Sequence, residues 1–180
     1  MELAITALGE REFAAFDAHF ARHRAESGRN DIHFMPFAPD GPERPNGLDS
    51  RKLFLSLDQP GWQRGWVAWS NTAPDTVVGH VDLKGGGLST TLHRCELGIG
   101  IERDYRGQGV GAALMRTAID FCRSAASIDY LDLKVFAHNT NARALYAKLG
   151  FVETGYVKDL VRTGSSSIDD VMMVLPVGDD

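Results

Sequence analysis

Three glycines in five positions, Gly107, Gly109 and Gly111, follow Arg106 and stand between an apolar stretch, Glu96 to Ile101, and a run that reads as a helix from Gly107 to Cys122. Glycine lets the backbone approach a ligand without interference from a Cβ. The start of a helix presents unpaired N–H groups and the positive end of the dipole. Such a turn suits an anion, and a phosphate or pyrophosphate is its natural occupant.

What surrounds the glycines separates three kinds of phosphate turn. A Walker-type loop needs a lysine and a hydroxyl directly after its last glycine, and neither follows here. The dinucleotide fingerprint is met in letter by Gly107, Gly109 and Ala112, with Asp129 or Asp132 near the expected acidic position. In that fold, however, the strand runs almost directly into the first glycine. Here Glu102 to Arg106 intervene, and too little chain remains for repeated βαβ units. The third pattern, Arg-x-x-Gly-x-Gly/Ala, is met by Arg106, Gly109 and Gly111, and with it the chain resembles the GNAT-type N-acetyltransferase superfamily. A second block, Asn139-Thr-Asn-Ala-Arg-Ala-Leu-Tyr146-Ala-Lys-Leu-Gly150-Phe151, is similar to that family's second signature. The resemblance is strongest over residues 92–162, and residues 1–180 are read as a single domain.

The resemblance implies acetyl-CoA as acetyl donor and direct transfer, in a ternary complex, to a primary amine of a small molecule. A protein N-terminal or lysine acetyltransferase, or a noncatalytic acyl-CoA-binding regulatory domain, is the alternative. The backbone of Ile99, Gly100 and Ile101 is expected to pair with the pantetheine arm as if it were an added strand. The turn Arg106, Gly107, Gln108, Gly109, Val110, Gly111 and Ala112 is expected to hold the pyrophosphate, chiefly through N–H groups, with Arg106 adding charge where its side chain reaches. Tyr146 takes the family's tyrosine position and would protonate the departing thiolate. Asn139 is suited both to capping that helix and to contacting the cofactor. Glu96 matches a position often acidic in the family and is the first candidate to take the amine's proton, with Asp82 as runner-up. The oxyanion is expected to meet a backbone N–H of Ile99 or its neighbour. Glu96, Asp82, Asp31 and Asp169 would suit a cationic acceptor if they converge.

Composition narrows the alternatives. The chain has 180 residues, 43% of them hydrophobic, enough for one filled core. A formal charge of −5 with scattered lysines and arginines argues against nucleic acid as a partner. No apolar run approaches a membrane span and no basic, apolar leader opens the chain, so a cytoplasmic protein is expected. Cys95 and Cys122 lack metal or disulfide-framework spacing, and read as reduced structural thiols. His19 and His23 are four apart on a helix face, without an acidic residue at metal-motif spacing, and no metal is expected.

The elements that must position these residues follow from periodicity. Phe13, Phe16 and Phe20 mark an amphipathic helix ending near Gly28. Residues 28–47 carry four prolines and form a long loop, whose His33, Phe34 and Phe37 are the candidate acceptor-side wall. A short helix capped by Asp49 or Ser50 runs through Leu57. Trp66–Trp69 and Val77–Leu83 read as a hairpin across Asn71 to Asp75. Strands follow at 92–101, 130–137, 151–161 and 168–175, with a Tyr146 helix between the second and third of these. The sum is an α/β or α+β fold, a mixed central sheet flanked by helices, with a splayed cofactor-binding strand implied by the resemblance. Related proteins often dimerise through C-terminal strands, and Val171 to Leu175 is the stretch that would serve a homodimer if it forms an edge.

Overall fold

The computed structural model describes residues 4–28, 32–36, 47–163 and 166–178. Its centre is a seven-stranded sheet of β1 (Ile5–Ala7), β2 (Gln63–Trp69), β3 (Val77–Gly85), β4 (Arg94–Ile101), β5 (Tyr130–Phe136), β6 (Val152–Thr163) and β7 (Ser166–Pro176), in the order β1-β2-β3-β4-β5-β7-β6. All neighbours are antiparallel except β4 and β5, which are parallel. Parallel neighbours need a crossover, and α2 (Val110–Ser124) supplies it. The helices α1 (Phe13–Glu26) and α3 (Thr140–Lys148) complete the layers. This is the expected mixed sheet flanked by helices.

The two faces of the sheet are covered by different helices. Along β4, Cys95, Leu97, Ile99 and Ile101 alternate with Glu96, Gly98 and Gly100, because successive side chains on a strand point to opposite sides. The first set joins the main core, where Leu114, Met115, Ala118 and Cys122 of α2 are fully buried and Tyr146 of α3 packs nearby. The second set faces α1. There Phe16 is buried among Val67, Val77 and Leu53, so the phenylalanine stripe of α1 is core, centred on its middle member. Burying a side chain such as Phe16 or Leu114 contributes roughly 1.5–3 kcal/mol.

The feature that matters for a ligand is where β4 and β5 stop pairing. Their register runs from Arg94 opposite Tyr130 to Leu97 opposite Leu133. Meanwhile β4 stays paired with β3 as far as Ile101 opposite Gly79, and β5 stays paired with β7 as far as Phe136 opposite Asp170. Beyond Leu97 and Leu133 the two central strands part, leaving one side of Gly98 to Ile101 without a strand partner. This is the splay that the resemblance implied.

Several boundaries differ from expectation for identifiable reasons. The helix expected from Gly107 begins at Val110, because Gly107 (φ +72°) and Gly109 (φ +85°) hold left-handed backbone that cannot enter a right-handed helix. The short helix expected to reach Leu57 is a 3-10 helix, Ser50–Phe54, with Asp49 accepting from the Arg51 N–H. The three-residue β1 and the 3-10 turn Arg103–Tyr105 carry too few residues for a periodic signal. The Val171–Leu175 stretch lies inside β7, between β5 and β6, so the C-terminal edge strand is β6. The Thr163-Gly-Ser-Ser turn includes residues 164–165, outside the described residues.

Candidate functional site

The anion turn is built almost wholly from backbone. Tyr105 and Arg106 N–H groups close the 3-10 turn onto Glu102 and Arg103 carbonyls, and the chain then opens through the two left-handed glycines. A Cβ added to Gly107 or Gly109 would have nothing within 4 Å, so no packing requires glycine there. The requirement comes from the backbone angle and from the open approach. Gly109 caps α2 without any side-chain hydrogen bond, and its carbonyl accepts from Ala113 N at 3.0 Å. The N–H groups of the first helical turn therefore precede the helix's own ladder and face outward. That arrangement fits a pyrophosphate. Gln108 turns its amide onto the Asp104 carbonyl (2.6 Å), bracing the turn.

Arg106 goes elsewhere. Its Nε donates to the Ile101 carbonyl at 2.8 Å, its Nη2 reaches Glu26 at 2.9 Å, and its guanidinium lies 4.7 Å over the Phe34 ring. It thus clamps the end of α1 and the segment 32–36 against the end of β4. His33 is buried, and its carbonyl accepts from His138 Nε2 at 2.7 Å. Residues 33 and 34 therefore bridge from the anion turn to the start of α3, on the side where the acceptor wall was expected. Phe37, the third residue of that expectation, lies outside the described residues, as does Asp31.

On the main-core side of the gap, Ile99 and Ile101 pack with α2 and α3, and Gly111 approaches Leu145 and Ile101 at 3.6 and 3.8 Å from where a Cβ would be. Asn139 caps α3, its Oδ1 accepting from Ala142 N at 3.3 Å. Tyr146 is buried with its ring 6.0 Å from Phe151, and burial pushes its phenol up to about 12. A phenol so placed is protonated at neutral pH and able to donate.

The α1 side of the gap holds a cluster that the sequence reading did not assemble. His80, Asp82 and Lys84 alternate along β3 on the face shared with Gly100, Gly98 and Glu96 of β4. Glycine at 98 and 100 is a steric necessity here. A Cβ on Gly98 would sit 2.7 Å from Asp82 Oδ1, and one on Gly100 would sit 2.6 Å from His80 Cε1 and 2.7 Å from the His23 ring. His80 Nδ1 is 2.8 Å from His19 Nε2, and His19 Nδ1 is 2.8 Å from Glu102 Oε1. Burial pushes the Glu102 carboxyl up, but hydrogen bonds from His19 and Arg22 outweigh it and hold the group below its ordinary value. His80 is held well below its usual pKa by burial and by His19, His23 and Lys84. His23 is lowered to about 3, by burial first and then by His19 and Arg106.

Asp82 is buried, and its Oδ2 has no hydrogen-bond partner. Burial raises its pKa against the opposing pull of Lys84, whose Nζ is 3.5 Å away. Glu96 lies on the same face but is half-exposed and engaged by Lys134 Nζ at 3.0 Å. Asp169 does not join them. It accepts from Asp159 N at 2.7 Å and from the Tyr156 hydroxyl within the β6–β7 hairpin. The signal that could have found the cluster is the His-x-Asp-x-Lys alternation at 80–84, facing two glycines in the next strand.

His19 and His23 do share a face of α1, their rings stacked at 5.8 Å, and among the described residues no group of His, Cys, Asp and Glu side chains could hold a metal ion. Cys95 and Cys122 are buried free thiols with sulfurs 3.8 Å apart. No helix among the described residues is long and apolar enough to cross a membrane.

Comparison with known proteins adds a family. The model of the acetyltransferase (GNAT) family matches residues 30–151, well over half of the chain. The L-amino acid N-acetyltransferase AaaT of Escherichia coli is 30% identical over 97 residues, covering 54% of this chain and 60% of that protein. The E. coli [ribosomal protein bS18]-alanine N-acetyltransferase is 35% identical over 79 residues, 44% of this chain and 53% of its own length. The chain thus matches little more than half the length of these curated relatives. A phosphinothricin acetyltransferase from Sinorhizobium meliloti, solved in complex with AcCoA, shares the fold with a TM-score of 0.78 at 15% identity, over 99% of this chain and 90% of that one.

Proposed function

The chain belongs to the acetyltransferase (GNAT) family, and from that premise we propose that it is an N-acetyltransferase, with residues 1–180 acting as one domain, that moves an acetyl group from acetyl-CoA to a primary amine of a small molecule. The observation that carries the reading is the parting of β4 from β5 after Leu97, directly beside an uncapped helix start opened by two left-handed glycines. One feature offers a free strand edge to an amide-bearing arm. The other offers N–H groups to a pyrophosphate. The AcCoA complex of the S. meliloti relative supports the same donor.

Acetyl-CoA supplies an already activated acetyl thioester, and the protein's part is to hold, orient and move protons. Alternate backbone groups of Ile99, Gly100 and Ile101 face the gap and would pair with the pantetheine amides. One such N–H, from Ile99 or its neighbour, would meet the charge developing on the carbonyl oxygen. The N–H groups from Gly107 to Ala112 would hold the pyrophosphate, with Arg106 securing the turn rather than reaching across it. Tyr146, neutral and on the core side, is the proton donor to the leaving thiolate, and Asn139 sets the start of its helix. On the opposite side stand two carboxylates. Glu96, the first candidate base, is exposed and held by Lys134, whereas Asp82 is buried, with Lys84 Nζ at 3.5 Å, and lies beside Gly98 at the point of parting. Asp82 is the stronger candidate.

A small-molecule acceptor is favoured because segment 33–34 is held between Arg106 and His138 on the α1 side of the gap, which narrows the approach there. Calorimetric titration with acetyl-CoA, with reduced nicotinamide dinucleotides as controls, tests the donor. Thiol release with a panel of L-amino acids and simple primary amines then tests the acceptor. Saturable acetyl-CoA binding and amine-dependent thiol release are expected. Binding of a nicotinamide dinucleotide in its place would overturn the reading.

A further inference from the structure

With one hydrogen on each ring, the line Glu102–His19–His80 admits one arrangement of protons, and that arrangement points a lone pair at the gap. Glu102 is a carboxylate and can only accept, so His19 Nδ1 carries the hydrogen of the 2.8 Å contact. His19 is fully buried, and with its single ring hydrogen on Nδ1 its Nε2 is an acceptor. The 2.8 Å contact between the two rings therefore takes its hydrogen from His80 Nδ1. His80 Nε2 is left unprotonated. It lies 3.9 Å from Asp82 Oδ1, and the ring edge between them rests against Gly100.

We propose that His80 and Asp82 together form the base that takes the proton of the acceptor amine, and that His19 and Glu102 are positioning residues that fix His80 in the tautomer able to accept it. The inference rests on the acetyltransferase reading. The gap between Nε2 and Oδ1 is too long for a direct hydrogen bond and admits an amine nitrogen donating to both. Beside them, Asp82 Oδ2 is a buried acceptor with the charged Lys84 Nζ 3.5 Å away. As the nitrogen lone pair forms the new N–C bond, one N–H bond breaks and its proton bonds to the pair. The resulting imidazolium donates through Nδ1 to His19, whose own Nδ1–H meets the Glu102 carboxylate, so the positive charge is balanced without exposure to water. The pair releases the proton to solvent when the product leaves.

The groups facing His80 are His19 and His23 from α1, Asp82 and Lys84 on its own strand, and Glu102 at the far end of the line. Burial and the Lys84 ammonium disfavour a charged His80 in the resting protein. His80 and Asp82 will titrate as a coupled unit. Glycine at 98 and 100 is what makes room for this pair, which gives both positions a role in the acceptor half of the site, beside the role of Gly100 in binding the donor.

The test does not depend on knowing the acceptor. Long-range nitrogen–proton correlation spectra of histidine-labelled protein saturated with acetyl-CoA should show His80 neutral with its hydrogen on Nδ1 between pH 6 and 8. In Glu102→Gln the amide can donate to His19 Nδ1, which reverses the line, and His80 should move to the Nε2–H form. With whichever amine the thiol-release panel yields, that variant should lose turnover by about 100-fold or more, the size of a general-base contribution, while acetyl-CoA affinity stays within threefold. His80→Asn, which keeps a donor for His19 but no base, should lose the acid limb of the pH–rate profile with its melting temperature retained. His80 carrying its hydrogen on Nε2 in the parent protein, or turnover within threefold in both variants, would overturn the proposal. Absence of acetyl-CoA binding would overturn the acetyltransferase reading instead, and the spectra of the free protein would still decide the tautomer.

Discussion

On one side of the β4–β5 gap the groups proposed for the site are backbone amides of consecutive residues, Gly107 to Ala112. On the other they are side chains of His19, His80, Asp82 and Glu102, drawn from α1, β3 and the end of β4 and separated by up to 83 positions in the chain. The first site needs only that the backbone be bare and correctly bent, which two positive-φ glycines ensure. The second needs a sheet register, a helix laid across it and two glycines left empty opposite the side chains they accommodate. A site made of main chain tolerates drift in everything but its turn, whereas a site made of side chains depends on the whole packing of α1 against β3.

The largest effect should come from the backbone side. Gly109→Val places a β-branched residue at φ +85° and fills the approach to the helix start, so acetyl-CoA affinity should fall by about 100-fold or more. Gly61 has a similar positive φ (+77°) and open surroundings away from the gap. Gly61→Val carries the same strain, roughly 1–2 kcal/mol, without touching the turn. Calorimetry on the two variants separates strain from binding. Equal loss in both would remove the anion turn from the comparison.

Tyr146→Phe probes the boundary between the halves. The ring's packing against Phe151 is retained and only the hydroxyl is lost, so acetyl-CoA should bind nearly as before while turnover falls by about 100-fold. Unchanged turnover would leave the buried tyrosine as core alone.

This asymmetry also sets what could be read from the sequence. The glycine turn, the capped α3 with Asn139 and Tyr146, and the alternating strands were legible because each is written in neighbouring residues. The helix start was misplaced by three residues because periodicity does not register a left-handed φ at Gly109. The histidine line was not legible. His19 and His23 showed only that they share a helix face, and His80 sat in a strand whose residues from Val77 to Leu83 are all buried, where a polar side chain gives no periodic signal. Gly100 is assigned by the sequence to the donor alone and Gly98 to nothing, since nothing local indicates that His80 and Asp82 lean over them from the next strand. Arg106 was read as a phosphate ligand, and its capture by Glu26 depends on where α1 ends.

The side-chain half should also be the acid-sensitive half. His23, lowered to about 3 by burial, and His80, lowered well below its usual value, are neutral in the folded protein, while both take up protons in the unfolded chain near pH 6.5. Below that pH the unfolded state binds more protons, so stability must fall as pH falls. Each such histidine costs on the order of 1–2 kcal/mol between pH 6.5 and 5. Urea unfolding at pH 7 and pH 5 should show this loss, with a smaller difference in His23→Gln. A stability that rises toward pH 5 would mean that the cluster is charged in the folded state.

The smallest effect is expected at Glu96, and it sharpens the comparison because Glu96 was the acid that sequence alone brought forward first. Its carboxylate is 56% exposed and its ion pair with Lys134 is solvated at both ends, the kind worth about 0–1 kcal/mol. Glu96→Gln should therefore change turnover by no more than about threefold, whereas Asp82→Asn, which alters a buried carboxylate beside Gly98, should approach the loss expected for His80→Asn. Measuring kcat for both under saturating acetyl-CoA decides between them. If Glu96→Gln proves the more damaging, the proton leaves toward β5 and solvent, and the histidine line serves the packing of α1 rather than the reaction.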